Sequence, residues 1–424
     1  VSGRPPYGTT VPGNRWDLVE PGDPARSIAV VVAHYEQPEQ LARTLAALAR
    51  QTRPPDEVVV ADDGSATPPE VPPGVRLVRQ PDDGFRLAAV RNLGVAATSS
   101  DVLVLLDADT TPEPAYVEQL TALPAVLPEL LATGRRRHAD LTDVPAEAPI
   151  EQAASPRALP DPVWLLDAHA RSGDLLHADA SSHRYAVGAV LACSRWLFDE
   201  VGGFDASFTA YGGEDWDFAH RTRLAGGLLA HRPRAVAWHD GPDAGLEPRD
   251  DDGRLGEAVA VADRGAAPRT GWRGLLRGPL PLAVTCAADL EGTALLATLD
   301  SLTASLPRTH LLLDDAQART VGGDPRVRRP DGGLPPGTRL HLRLDRGVTG
   351  EPGAWHDLVH SLDGPQGWGV REVGPGAGLL RDVRLQRRAA RWDRPDLAAA
   401  HPQPYAGLRP WQGAHLQAWF GGWA

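Results

Sequence analysis

Three segments gather acids where a reaction or a cation would need them. "LLDADTTP" sets Asp107 and Asp109 at i and i+2 as an apolar run ends. In extended chain such side chains project to one side, so both can approach one cation, and hard divalent ions take oxygen ligands. "YGGEDWDF", residues 211–218, places Glu214, Asp215 and Asp217 behind two glycines. A carboxylate there can act as a general base; a solvated acidic turn is the competing reading. "WHDG", residues 238–241, also follows an apolar run, and His239 would complete a mixed oxygen and nitrogen site suited to Mn2+. Taken alone, His239 is an ordinary packed or surface histidine, and Asp-x-Asp is a common strand-end turn. "ADDGS" offers Asp62 to a nucleobase or ribose hydroxyl, or only to a turn. "GFRLAAVRNLG" supplies Arg86 and Arg91; Arg91 either meets a diphosphate or is a helix-surface charge.

Short apolar runs carry these residues. "SIAVVVAHY", "DEVVVADDGS" and "DVLVLLDADTTP" read as buried strands, separated by "PEQLARTLAALARQ" and "LAAVRNLGVAATSS" as helices. That alternation implies parallel βαβ units with right-handed crossovers. The acids collect at the carboxyl ends of the strands, where open α/β sheets bind ligands. Residues 134–182 read as a loop or irregular insertion, with Arg135, Arg136 and Arg137 solvated or facing an anion. From 186 to 241 the pattern runs strand, helix, strand.

Composition bounds the rest. At 424 residues the chain exceeds the roughly 250–300 at which single cores stop growing, so two domains are expected. We expect an extended lead-in over 1–26, a first domain over 27–241, a linker over 242–278 and a second domain over 279–424. The net charge of −12 argues against nucleic-acid binding. All 43 cationic side chains are arginine, which excludes lysine Schiff bases and a P-loop lysine. No transmembrane run or secretory pattern is expected, and Cys193 and Cys286 suit a reducing cytoplasm. "PLAVTCAADLEGTALLATLDSLTAS" aligns without a gap on "SIAVVVAHYEQPEQLARTLAALARQ", and "LLLDDA" then echoes "VVVADDG" after a two-residue deletion. The second domain is therefore read as a degenerate duplicate, ending its second strand on Asp314 and Asp315 without a counterpart of "LDAD" or "GGED". The C-terminal Trp411, Trp419, Phe420 and Trp423 are read as core packing, with sugar stacking and subunit contact as alternatives.

In order, "VVVAHY", "VVVADDGS", "DGFRLAAVRNLG", "VLLDADTTP", "VGAVLACSRWLFDEVGGFDASFTAYGGEDWDF" and "WHDG" resemble glycosyltransferase family 2 over about 28–241. The likeness is greatest to the branch with a Gly-Gly-Glu-Asp motif, as in chondroitin-polymerase-like and galactosyltransferase-like enzymes. The resemblance implies a GT-A fold, a Rossmann-like and mostly parallel α/β sheet. It also implies inverting transfer from a nucleotide-diphosphate sugar, taken as a UDP-sugar, with Mn2+ or Mg2+. The acceptor would be a glycan, a lipid-linked sugar, a peptide or a small molecule. Carried over, Ala33 and Tyr35 border the base, Asp62 contacts it, and Asp107 meets ribose or metal. Asp109 and His239 hold the metal, Arg91 lies near the phosphates, Asp215 is the base and Glu214 holds a hydroxyl. Asp217 begins the following helix, and Trp216 either offers an apolar face to a sugar ring or packs inside the fold. His34-Tyr35-Glu36 departs from the usual Thr-Tyr-Asn-like loop, so Glu36 points away or reads a donor hydroxyl. Two other readings are a non-catalytic pseudo-glycosyltransferase and a sugar nucleotidyltransferase; the latter lacks its glycine-rich basic loop here.

Overall fold

The computed structural model describes residues 3–22, 25–243, 251–266, 272, 274–364, 369–398, 403–413 and 416–419. Contacts divide the chain into two units, residues 1–261 and 262–424. The first unit opens on a segment that packs rather than trails. Tyr7, Val11 and Asn14 are buried. Asn14 donates to Leu229 O and accepts from Leu229 N, each at 2.9 Å.

β1 (Ile28–His34), α1 (Pro38–Leu48), β2 (Glu57–Asp62), β3 (Val75–Arg79), α2 (Leu87–Ala96) and β4 (Val102–Asp107) follow. Strands β3, β2, β1 and β4 lie side by side in parallel. Every residue of β1 is buried, as a strand covered on both faces requires. On one face Leu41, Leu45 and Leu48 of α1 join Val30, Val32 and Val104 in one apolar cluster. On the other, α2 comes so close that a Cβ on Gly94 would stand 2.3 Å from Val31 Cγ1 and 3.0 Å from Ala61 Cβ. Gly94→Ala is therefore expected to destabilise this unit by ~1–3 kcal/mol, overcoming alanine's better helix propensity. Urea unfolding of variant and parent reads the difference; an unchanged midpoint would refute this packing.

The unit continues through β5 (Thr110–Pro112), α3 (Tyr116–Thr121), β6 (Leu130–Ala139), α4 (Ile150–Ala153), β7 (Ala158–Leu159) and α5 (Val163–Ser172). It closes with β8 (Val190–Ser194), α6 (Arg195–Glu200), α7 (Glu214–Leu224), β9 (Leu228–Asp240) and α8 (Asp251–Asp263). Beyond β4 the sheet order is β8, β6, β9, β5, with β8 antiparallel to both β4 and β6. Two expectations change here. Arg135, Arg136 and Arg137 lie on β6, paired in parallel with Val236, Ala237 and Trp238, and not on a loop. The buried "LLATG" run before them carries the strand forward, and arginine stems tolerate half-buried strand positions. Within 242–278, the residues expected as linker, α8 instead forms and buries Val261.

The second unit comprises β10 (Leu282–Cys286), α9 (Gly292–Ser305), β11 (Thr309–Leu312), α10 (Asp315–Val321), β12 (Val327–Arg328), β13 (Leu340–Leu344) and β14 (Val348–Thr349). Then come α11 (Pro352–His360), β15 (Val370–Val373), β16 (Gly378–Asp382), α12 (Val383–Trp392), β17 (Gln403–Tyr405), β18 (Arg409–Pro410) and α13 (Leu416–Trp419). Its sheet runs β12-β11-β10-β13-β16-β15-β17. The first four strands are parallel and β16 is antiparallel to β13, the order and sense of β3-β2-β1-β4-β8 in the first unit. Leu295, Leu299 and Leu302 of α9 pack with Val284 and Leu342. Asp314 caps α10, accepting from Ala316 N and Gln317 N at 2.9 Å each. Trp411 and Trp419 are half-buried with rings 6.0 Å apart; Phe420 and Trp423 lie outside the described residues. Among the described residues no helix is long and apolar enough to cross a membrane.

Candidate active site

Register brings the quoted motifs to one end of the first sheet. Ala33 on β1 pairs with Asp107 on β4 and with Ala61 on β2, so the acids after both strands emerge together. Thr110 on β5 pairs with His239 on β9, which sets Asp109 beside the histidine. Asp109 Oδ2 lies 3.6 Å from His239 Nε2. Gln37 Nε2 and Thr110 Oγ1 each hold Asp109 at 3.1 Å. His239 Nδ1 stands 3.3 Å from Gly241 O; with the proton on Nδ1, the Nε2 lone pair faces Asp109. Among the described residues no three His, Cys, Asp or Glu side chains converge as a ready cation cage. The Asp109–His239 pair fits a borderline divalent ion in its donor types and tautomer, with remaining positions left for a ligand's oxygens.

Asp107 turns another way. Its Oδ1 accepts from Arg91 Nη2 at 2.8 Å, while Arg91 Nη1 donates to Glu214 Oε1 at 3.0 Å. Arg91 is 2% exposed and its guanidinium lies 5.3 Å from the Phe204 ring centre. This corrects both readings of Arg91: it is neither a surface charge nor open to a diphosphate. It joins the "LDAD" acid to the "GGED" acid.

The "GGED" turn is the start of α7 itself. Gly213 at φ 92° is the N-cap, so the helix begins at Glu214, three residues before the expected Asp217. Acids in a first turn are favoured by the helix dipole. A Cβ on Gly212 would meet Glu257 Oε1 at 2.8 Å, and one on Gly213 would meet Val261 Cγ2 at 2.6 Å. Together with their positive φ, this makes glycine necessary at both positions. Asp215 Oδ2 accepts from Gly188 N at 3.0 Å, and Oδ1 accepts from Trp216 N at 2.8 Å. Asp215 and Trp216 are half-buried. Glu214 is buried, and its Oε2 has no partner. Burial, then the neighbouring Asp215 charge, pushes the Glu214 carboxyl up to about 7 against the pull of Arg91. Burial also raises Asp215, opposed by the Gly188 amide and Arg91. The two acids titrate as a pair. Asp217 is instead held by Arg221 Nε at 2.8 Å.

Asp62 is corrected too. It is fully buried and accepts from Ser65 Oγ at 2.5 Å, His34 Nδ1 at 2.7 Å, Arg79 Nε at 2.7 Å and Ser65 N at 3.1 Å. Burial would raise its pKa, but Ser65, Arg79 and His34 hold it below the ordinary carboxylate value. It braces the loop and does not stand open to a base. Arg79 was legible only through register, since Asp62 and Arg79 are partners across β2 and β3. Glu36, at φ 52°, accepts from Ala66 N at 2.6 Å and so turns toward that loop. The Ala33 carbonyl accepts from Ala108 N at 2.9 Å. Tyr35 is 47% exposed, its hydroxyl 3.5 Å from Asp82, and so keeps a ring face available.

With this geometry in view, known proteins are informative. Residues 29–173 match the family model described as glycosyl transferase family 2, and residues 172–237 match that of the N-terminal domain of galactosyltransferase. Both matches fall within the first unit. The chain is 30% identical over 239 residues to chondroitin synthase of Escherichia coli, covering 51% of this chain and 35% of that protein. It is 32% identical over 222 residues to validoxylamine A glucosyltransferase of Streptomyces hygroscopicus subsp. limoneus, covering 47% and 48%. A crystal structure of GalNAc-T7 with UDP, GalNAc and Mn2+ overlaps at TM-score 0.40 and 17% identity, over 57% of this chain and 50% of that chain. The chain spans between about a quarter and about half the length of the curated relatives it matches. Residues 29–173 are thus similar to glycosyl transferase family 2 and lie on a mixed α/β sheet.

Proposed function

We propose that the first unit transfers a sugar, with inversion, from a nucleotide-diphosphate sugar to an acceptor hydroxyl, with a UDP-sugar as donor. One observation carries this reading: Arg91 ties the acid pair that opens α7 to the strand-end aspartate two residues before Asp109, which stands beside His239. A base and a cation pair are thus held on one scaffold. Asp215 takes the acceptor's proton as its oxygen attacks the anomeric carbon, and the bond from that carbon to the diphosphate oxygen breaks. Each Asp215 oxygen accepts one backbone N–H and keeps a lone pair for that proton. Asp109 and His239 would hold Mn2+ or Mg2+, which supplies charge stabilisation to the departing diphosphate. Tyr35 borders the base, and Glu214 serves as Arg91's partner. The acceptor belongs to a glycan, a lipid-linked sugar, a peptide or a small molecule; the named relatives include a chondroitin synthase and a validoxylamine A glucosyltransferase.

Purified protein with Mn2+ is expected to release UDP from at least one UDP-sugar, and EDTA or Asp109→Ala to abolish the release. A rate indifferent to both would remove the cation from the reading. Stronger thermal stabilisation by a GDP-sugar would replace the donor. The second unit is read as a non-catalytic duplicate: by strand register, Gly347 stands where Asp109 does, and Asp314 is occupied as a helix cap. Two free cysteines support a cytoplasmic location.

A further inference from the structure

Next to the Asp109–His239 pair lies a group of charged side chains that the chemistry above leaves unused. On β6, Arg135, Arg137 and His138 face Asp161 at 3.6, 3.7 and 3.7 Å. These spacings lie beyond the usual 2.7–3.2 Å of an N–H···O bond. His138 is 1% exposed, yet neither ring nitrogen has a partner, and Asp161 Oδ1 and the Nε atoms of both arginines are likewise unmatched. Unmatched buried polar atoms in a folded protein call for an explanation, and a ligand is one. The outer side of the group is open, with the Arg135 and Arg137 side chains 39% and 31% exposed.

The group is also held in place before any ligand arrives. Arg137 stacks over the Trp238 ring at 4.1 Å, and Trp238 is anchored through Nε1 to Glu113 at 2.9 Å. Asp161 stands between Pro160 and Pro162, which restrict its backbone. Ordering these side chains therefore costs a ligand little. The His138 and His239 rings are 5.3 Å apart, which sets the His138 member of the group beside the cation pair.

The unmatched atoms select the ligand. The guanidinium groups donate, Asp161 accepts, and a neutral His138 does one of each. A phosphate or carboxylate only accepts and would be repelled by Asp161. A hydroxyl donates and accepts at once, and adjacent hydroxyls on one ring can span a carboxylate and a guanidinium. We propose that Arg135, Arg137, His138 and Asp161 form the subsite that reads the hydroxyls of the donor's sugar ring and so selects the sugar. This rests on the nucleotide-sugar reading above.

Calorimetry with Mn2+ tests it, using UDP-glucose, UDP-galactose and GDP-mannose beside UDP and GDP. For whichever sugar nucleotide the parent protein binds, Asp161→Asn is expected to weaken binding roughly tenfold, the loss of one charge-assisted hydrogen bond. The bare nucleotide should stay within about twofold. Arg135→Gln, on the more open side, gives the same readout should Asp161→Asn fold poorly. Equal losses for nucleotide and sugar nucleotide would make the group a diphosphate site and overturn the proposal. No loss for either would assign it to the acceptor or the fold, and also overturn it. Failure of the parent protein to bind any of the five would instead strike the nucleotide-sugar reading itself.

Discussion

Asp215→Asn is expected to slow sugar transfer by ~10²–10⁴-fold while leaving donor binding unchanged, the range for loss of a positioned general base. Asparagine keeps one oxygen to accept from Gly188 N and gives up the bond from Trp216 N in the first turn of α7. It also loses the ability to take a proton. Because burial raises both Asp215 and Glu214, the parent's kcat/KM should climb as pH rises through the ionisation of the pair and level off above it. Glu214, pushed up to about 7, places part of that climb near neutrality. In the variant the climb should vanish, and the remaining Glu214 should titrate lower without the Asp215 charge beside it. Initial rates across pH, with calorimetric donor titration, separate the two effects. Unchanged transfer in the variant would dismiss Asp215 as the base.

Arg91→Met should cost the fold ~3–5 kcal/mol, because breaking a buried ion pair leaves its partners uncompensated. Two carboxylates would be stranded, Asp107 and Glu214, which now share its Nη groups at 2.8 and 3.0 Å. Glu214 should rise further, since Arg91 is the charge that lowers it. A carboxyl raised in the folded state contributes stability that is present below its unfolded pKa and lost as pH rises through the folded one. The parent should therefore lose stability between the ordinary glutamate range and about pH 7, and the variant should lose it over a higher window. Arg91→Lys separates charge from geometry. One ammonium cannot repeat the fork that spans two acids, so stability should recover more than kcat does. Thermal melts across pH and steady-state rates give both readouts. Full recovery of kcat by lysine would reduce Arg91 to a point charge.

How much of this was legible follows from the range of the interactions. The apolar runs at β1, β2 and β4, the leucine spacing of α1 and the acids closing each strand are local patterns, and they sufficed for the α/β order and for the end of the sheet that matters. The two glycines before Glu214 were visible as an oddity, but their reason was not, because Glu257 and Val261 stand far along the chain. Residues 134–182 were misread because alanine, proline and acid composition describes a surface, while β6 is made by pairing with β8 and β9.

The sequence by itself marked which acids and which histidine are candidates for chemistry, and the strands that carry them to one end of the sheet. Only the tertiary structure decided which of them remain available. Asp62 and Asp215 are both aspartates near a glycine turn, yet Asp62 carries four hydrogen bonds in the interior, and half-buried Asp215 accepts only one backbone N–H at each oxygen. Asp62 meets Arg79 through strand register, and Asp107 meets Arg91 through the packing of α2 over β1 and β2. A side chain's identity sets what it can donate or accept; burial and partners brought from elsewhere in the chain set what it still has to offer.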